Sequence, residues 1–448
     1  MIKTLTNIFK IEDLRRRVIF TLLLIAIYRI GCYVPTPGID GKALSEFFTR
    51  IAHTHGGTLF GIINMFSGGA MERLTIFALG IMPYISSSII LQLLTAVIPA
   101  LERLSKEGKA GYEKINQYTR YGTVLLSIIQ SFFISLWLEN PARFEGLKIV
   151  SSPGWGFRFL TILTLTTGTI FIMWLGEQIQ EFGIGNGISL IITSGIVSRI
   201  PAALHQLFIL FSPFKPSLRQ IQPIVLLIMA VLLVGVVLAV TLITQGQRKI
   251  PVQYARRIVG RKIYGGQSTY IPLRVDTAGV IAIIFAQSII LFPATLASFI
   301  PHPAFQRLAE NLVRGHLFYT LFYAGLIIFF CYFYTAIVFN PIELSENMKK
   351  YGGFIPGIRP GTSTAEFLNF VMTRITLVGA IFVSFIAIFP DFIMAWLKIP
   401  YLVASFFGGT GILIVVGVML DTIKQIESHL LMHHYEGFLS VGKIKGRR

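Results

Sequence analysis

The sequence predicts an all-α, polytopic membrane protein, and two observations support this fold class. Hydrophobic residues make up 54% of the 448 residues and charged residues only 13%, which is more apolar material than the core of a water-soluble protein needs. The apolar residues also fall into long runs separated by polar segments. A helix crosses a bilayer with about 20 apolar residues and satisfies its backbone hydrogen bonds internally, so these runs are predicted to be transmembrane helices.

Ten apolar runs have the length of a transmembrane helix. In chain order they cover residues 18–35, 74–97, 119–138, 156–176, 185–209, 221–243, 275–297, 317–340, 375–397 and 402–420. An even number of spans places both termini on the same side of the membrane.

The distribution of Lys and Arg indicates which side carries the termini. Residues 1–17, 103–120, 248–274, 349–374 and the tail after 420 lie on the terminal side and carry 26 of the 39 Lys and Arg residues. Since basic loops are retained in the cytoplasm, we expect both termini to be cytoplasmic. This topology also explains the net charge of +18, because the basic residues lie in separate loops and form no continuous nucleic-acid-binding stripe.

The spans divide evenly between residues 1–210 and residues 211–448, five in each half. Because five is an odd number, the second half inserts upside down relative to the first. This arrangement is typical of inverted repeats, which enclose a cavity where the halves meet. The glycines of Gly183–Gly187 suit the tight turn expected between the fourth and fifth spans.

Residues 57–70 form a segment that is too short to span the membrane and too apolar for an ordinary solvated loop. Two placements satisfy its backbone. The segment is either a half-helix that folds back into the protein and lines a cavity, or an interfacial helix that lies on the outer leaflet.

Several other functions are disfavoured by the residues. Cys32 and Cys331 lie far apart in apolar runs, so neither a disulfide framework nor a metal site is predicted. The sequence contains no HExxH or GxxxxGK[ST] motif, so we expect no enzyme activity of its own and no cofactor. A secondary transporter of a small solute stays open as an alternative, although transporters usually place ionisable residues at mid-membrane and few are present here.

Eight motifs, in chain order, resemble the SecY family of protein-conducting channels. They are Asn64–Ala70 (NMFSGGA), Ala78–Ile90 (ALGIMPYISSSII), Lys114–Thr123 (KINQYTRYGT), Gly183–Ser189 (GIGNGIS), Ala278–Ile281 (AGVI), Phe339–Pro341 (FNP), Pro356–Gly361 (PGIRPG) and Phe407–Thr410 (FGGT). The resemblance extends over essentially the whole chain. It implies two five-helix halves around an hourglass pore that opens across the membrane for secreted chains and sideways for membrane segments.

The resemblance also implies the residues of the pore. A ring of aliphatic side chains would consist of Ile81, Ile85, Ile188, Ile192, Ile281 and Ile414. A plug below the ring would contain Gly57, Phe60, Ile62, Ile63, Asn64, Met65, Phe66, Ser67, Gly68 and Gly69. Residues four apart, such as Ile81 and Ile85, share one helix face, but ordinary helix packing explains such a pair equally well.

A lateral gate is implied between the second and seventh spans. There Ser86, Ser87, Ser88 and Gln92 would face Gln287 and Ser288. The alternative is that these hydroxyl groups bond to their own helix backbones.

The cytoplasmic loops are implied to bind partners, namely the SecA motor ATPase and the ribosome. Arg248, Arg256, Arg257 and Arg359 are the expected docking residues, with Arg359 in the position of a family arginine needed for motor-driven export. Positive-inside topology alone also accounts for basic residues in these loops. The resemblance further implies SecE and SecG subunits, signal peptides, nascent chains and membrane lipids as partners, and the bacterial plasma (inner) membrane as the location.

Overall fold

The computed structural model describes residues 11–54, 64, 67–140, 144, 149–211, 223–254, 257–259, 262–264, 268–299, 317–397 and 409–441. Within these ranges the chain is mainly helical, and every predicted apolar run overlaps a helix. The helices of the first half are α1 Glu12–Gly31, α2 Gly41–Thr54, α3 Met82–Val97, α4 Pro99–Lys106, α5 Lys109–Leu138, α6 Trp155–Phe182, α7 Gly187–Val197 and α8 Ile200–Phe211. Those of the second half are α9 Pro223–Gln245, α10 Gly279–Phe299, α11 Leu317–Val338, α12 Pro341–Lys350, α13 Thr362–Leu397 and α14 Thr410–Val441.

One predicted run begins with turns and becomes helical only near a proline. The run 74–97 becomes helical only at Met82. Pro83 then lies in the first turn of the helix, where a proline is tolerated, whereas a helix that began several residues earlier would have this proline in its interior. The residues before it form turns, and Thr75 makes a β-bridge with Pro35. At its other end α3 meets α4 at a bend of 100°.

Length and composition alone identify six helices of the described part of the chain as able to cross a membrane, or seven if the bent pair α3 and α4 counts as one span. Helix α1 carries Glu12, Asp13 and three arginines in its first turns, which makes it less apolar than the others. The count of ten spans therefore stays a prediction.

A small antiparallel sheet, which the apolar runs do not predict, joins two of the basic loops. In the described ranges β1 (Gln247–Tyr254) pairs with β4 (Ser268–Arg274) on one side and with β5 (Gly353–Phe354) on the other. Short strands β2 (Arg257–Val259) and β3 (Lys262–Tyr264) form a separate hairpin between β1 and β4. The loop after α9 and the loop before α13 are thereby held together by backbone hydrogen bonds.

The side chains of this sheet follow the alternation expected of a half-buried strand. Ile250 and Val252 of β1 are buried with Leu273 of β4, while the residues between them are exposed. They pack on Leu368 and Val371 of α13, so the sheet is anchored to a long helix of the second half.

The largest apolar core lies where the two groups of helices meet. Helix α10 contacts α3 and α5, and α14 contacts α7. On the basic-loop side, the Gly183–Gly187 turn is fixed from both halves: the Thr21 hydroxyl accepts the Ile184 N–H at 3.0 Å, and the Gln425 side chain accepts the Gly185 N–H at 2.8 Å. Gly185 has φ +91°, a conformation in which glycine is strongly favoured.

Candidate functional site

Of the six isoleucines of the expected ring, Ile81 directly precedes α3 and the others lie on α3, α7, α10 and α14. All six belong to one apolar cluster or pack against it. Ile192 and Ile414 are fully buried at 0% exposure, and Ile81 and Ile85 are exposed by only 2% and 4%. Ile188 and Ile281 are half-buried and pack against the same cluster. The cluster is extended and includes residues of both halves. That these six side chains meet and encircle an opening stays a prediction.

A cavity of about 610 Å³ borders this cluster on the side of the basic loops. Its lining is apolar where Ile281 and Leu413 contribute and polar where Asn186, Ser189, Asp276 and Asp421 contribute. These residues come from both halves of the chain. The chamber therefore has a mixed polar and apolar lining, to which Ile281 of the isoleucine cluster contributes.

Asp276 lies three residues before the first residue of α10, and its carboxylate accepts the Gly279 N–H at 2.7 Å. Asp276 and Asp421 thus place two carboxyl groups on the wall of the chamber.

A second, smaller cavity of about 30 Å³ lies between α3 and α10, and its size is near that of one water molecule. Met71, Met82, Ser86 and Gln130 line it together with Leu291 of α10. The Ser86 hydroxyl is buried and has no hydrogen-bond partner among the described residues. The contact between the two helices is therefore incompletely packed and incompletely satisfied at this point.

The other residues expected at the lateral gate find partners away from the seam. The Ser87 hydroxyl donates to the Thr119 carbonyl of α5 at 2.9 Å, and the Gln92 side chain donates to the Ser88 hydroxyl of its own helix at 3.1 Å. The Ser288 hydroxyl donates to the Ile284 carbonyl of its own helix at 2.8 Å. Of these residues only Ser288 bonds to its own helix backbone, which is the alternative that the sequence left open.

Gln287 is braced by a residue that sequence reasoning missed. The Tyr323 hydroxyl of α11 donates to Gln287 Oε1 at 3.0 Å, and the two residues are only 1% and 2% exposed. Tyr319 stacks on Tyr323 with ring centroids 5.7 Å apart. The i,i+4 spacing of two tyrosines in an otherwise apolar run was the available signal, since a buried tyrosine hydroxyl needs a partner.

The expected plug is described at Asn64, Ser67, Gly68 and Gly69, while Gly57, Phe60, Ile62, Ile63, Met65 and Phe66 lie outside the described residues. Asn64 and Ser67 are 6% and 2% exposed. The Gly69 N–H donates to the Asn64 carbonyl at 2.9 Å, and Gly68 and Gly69 have φ +64° and +91°. The described end of the segment is thus a tight turn buried within protein.

Arg29 finds its partner at this turn. Its guanidinium donates to the Gly68 carbonyl at 3.1 Å, and the hydroxyl of Tyr28 lies 3.4 Å from the Ser67 carbonyl. A charge within an apolar helix needs such a partner. Here the partner is the backbone of the expected plug.

The expected docking arginines lie on the joined basic loops. Arg248 is exposed at the start of β1, and Arg359 is exposed in the turn between β5 and α13. The Arg359 carbonyl accepts the Thr364 hydroxyl at 2.9 Å, and the nearby Ile355 is buried against the sheet, so the base of this turn is fixed. Arg257 is described only as part of β2, and Arg256 lies outside the described residues.

These observations define a class: a multi-pass helical membrane protein in which a chamber of mixed lining borders an aliphatic cluster shared by two groups of helices. Comparison with known proteins identifies the family within that class. The SecY family model matches residues 75–423. The chain is 47% identical over 440 residues to the Escherichia coli protein translocase subunit SecY, which covers 97% of this chain and 96% of that relative. The chain belongs to the SecY family.

Solved structures share the fold. A structure described as a protein conducting channel has a TM-score of 0.66 at 16% identity and covers 92% of both chains. Sec61 in a canine ribosome-channel complex from the endoplasmic reticulum has a TM-score of 0.61 at 15% identity with the same coverage. At these identities the likeness extends to the fold.

Proposed function

We propose that this chain is the channel subunit of a protein translocase, which passes unfolded secretory polypeptides across the membrane and releases apolar segments sideways into lipid. The observation that carries the proposal is the isoleucine cluster, to which α3 and α7 of one half and α10 and α14 of the other contribute. Family membership supports it, because the Escherichia coli relative is a protein translocase subunit.

In the proposed resting channel, Ile81, Ile85, Ile188, Ile192, Ile281 and Ile414 surround the narrowest point. Narrow apolar openings exclude water and ions by dewetting. Isoleucine side chains offer no hydrogen bonds, so they hold no particular passing residue. The chamber beside Asp276 is the proposed cytoplasmic approach, where polar groups keep an unfolded chain hydrated until it reaches the constriction.

Sideways release is assigned to the contact between α3 and α10. The unpartnered Ser86 hydroxyl and the adjoining small cavity support this assignment, because fewer favourable interactions are lost when the helices part there. Polar contacts between membrane helices contribute only about 0.6 kcal/mol each on average. An entering apolar helix can replace contacts of that size.

Under this proposal residues 1–210 and 211–448 are the two halves that separate, and both termini are cytoplasmic in a bacterial plasma membrane. The assigned partners are SecE and SecG subunits, the SecA motor ATPase and the ribosome. The exposed guanidinium groups of Arg248 and Arg359 support docking, since arginine binds phosphate and carboxylate through paired hydrogen bonds.

Reconstitution tests the proposal. The purified complex is placed in proteoliposomes with the motor ATPase, ATP and a labelled precursor, and protease-protected precursor is measured. We expect protection that requires ATP and the signal sequence, with a signal-deleted precursor as the matched control. Coupled uptake of a small solute without precursor protection would support a secondary transporter instead.

A further inference from the structure

A polar cluster joins the expected plug to the C-terminal end of α7. The Asn64 side chain donates to Glu72 Oε2 at 3.0 Å and, through its Oδ1 atom, accepts the Glu72 backbone N–H at 3.1 Å. The Arg199 guanidinium lies 3.6 Å from the same Oε2 atom. Arg199 occupies the short break between α7 and α8. Glu72 therefore connects a plug residue with a residue of the fifth predicted span.

The partial burial of this cluster makes its polar interactions stronger than those of an exposed ion pair. Asn64 is 6% exposed, and the side chains of Glu72 and Arg199 are 31% and 18% exposed. Exposed ion pairs contribute little because water and salt screen them, whereas hydrogen bonds to a partly buried carboxylate are screened less. The bond from Asn64 to Glu72 is of this second kind.

The adjoining backbone is packed just as closely against the first half. A Cβ atom on Gly68 would lie 2.9 Å from the Cα atom of Gly195 on α7, and the Gly68 carbonyl is held by Arg29 of α1. All these partners belong to the first half. They hold the segment in place without joining the two halves to each other.

We propose that Glu72 is a latch that holds the described part of the expected plug, Asn64 and residues 67–70, in the closed position, and that Arg199 is the positioning residue that orients the Glu72 carboxylate. The inference rests on the proposed channel function. A polypeptide that displaces the plug must break the Asn64–Glu72 bonds, whereas separation of the halves leaves them intact. The latch therefore sets the resting leak of the channel independently of the lateral gate.

Charge exchange tests the latch. Arg199→Glu places a second carboxylate beside Glu72, and Glu72→Arg places a second guanidinium beside Arg199. For each variant we expect the resting ion conductance of the purified complex in planar bilayers to rise about tenfold, the factor associated with the loss of one charge-assisted hydrogen bond. The double variant Glu72→Arg/Arg199→Glu restores the pair and is expected to return the conductance to within about twofold of the unsubstituted protein, since an asparagine amide can accept as well as donate.

Arg73→Glu is the matched control, because it makes the same charge change one residue away. The Arg73 guanidinium lies 5.1 Å from the Tyr33 ring centroid, and its replacement is expected to leave the conductance unchanged. Glu72→Gln keeps the shape of the side chain and serves if a charge reversal prevents folding; a severalfold rise is expected.

Two results would overturn the latch: an unchanged conductance in Arg199→Glu and Glu72→Gln, or a double variant that leaks as much as the worse single variant. Precursor translocation is measured in the same vesicles. If the unsubstituted complex translocates precursor while these conductances stay flat, the latch fails and the channel function stands. If the unsubstituted complex translocates none, the channel function itself fails.

Discussion

Removal of the Tyr323 hydroxyl tests how firmly α10 is held against α11 behind the proposed lateral gate. In Tyr323→Phe the ring is retained, and Gln287 Oε1 loses a donor 3.0 Å away at a site where both residues are nearly fully buried. A buried acceptor left without its donor costs about 1–3 kcal/mol in water-soluble proteins, and membrane double-mutant cycles give about 0.6 kcal/mol on average with a maximum near 1.7. We therefore expect a loss of about 1 kcal/mol.

The free energy of unfolding is measured by denaturant titration of the purified protein in mixed micelles, under conditions in which unfolding is reversible. Tyr332→Phe is the matched control: its hydroxyl donates to the Thr373 carbonyl at 3.0 Å but is exposed, so a smaller loss is expected. Gln287→Leu removes the acceptor. The double variant Tyr323→Phe/Gln287→Leu replaces both partners with apolar groups, so its loss of unfolding free energy should be smaller than the sum of the losses in the two single variants. Strict additivity in that cycle would refute the reasoning that the bond braces α10.

A further prediction concerns a charged residue of the proposed cytoplasmic side. Arg359→Glu should impair motor-driven export about tenfold or more while sparing ribosome-delivered membrane proteins, as measured in vesicles with Lys350→Glu as control. Equal loss of both activities would indicate a folding defect.

The sequence predicts the helices well because lipid imposes a simple rule. A segment such as Pro223–Gln245 is apolar throughout, and a helix satisfies every backbone group without help from the rest of the chain. The helix ends are predicted less well. The start of α3 at Met82 depends on Pro83 and on the bridge from Thr75 to Pro35, which a hydrophobic run does not reveal.

The sheet was missed because its strands depend on partners distant in sequence. Strand β5 has two residues, Gly353 and Phe354, and exists as a strand only because Tyr254 and Gln253 lie beside it. The alternation of Ile250 and Val252 with exposed residues was a local signal for β1. The strand is short and lies between two long apolar runs, so this alternation was not interpreted as a strand.

The candidate site could likewise be predicted only in part. The residue types of the isoleucine cluster follow from the motifs, and the structure gathers those residues in one apolar cluster. The pairing of Glu72 with Arg199 could not be predicted, because these positions are more than a hundred residues apart, and the bond from Asn64, eight residues from Glu72, depends on side-chain orientation. Gln287 was expected to face α3, yet its described partner Tyr323 belongs to a third helix.

Single-channel recording of the purified complex in planar bilayers shows whether an aliphatic constriction seals the resting channel. Ile81, Ile85, Ile192 and Ile281 are each replaced by serine, with Ile381, which is 53% exposed on the surface of α13, replaced by serine as the control. We expect each of the four substitutions to raise the resting ion conductance and Ile381→Ser to leave it unchanged. If the resting conductance stays at the unsubstituted level in all four variants, these isoleucines do not form the seal.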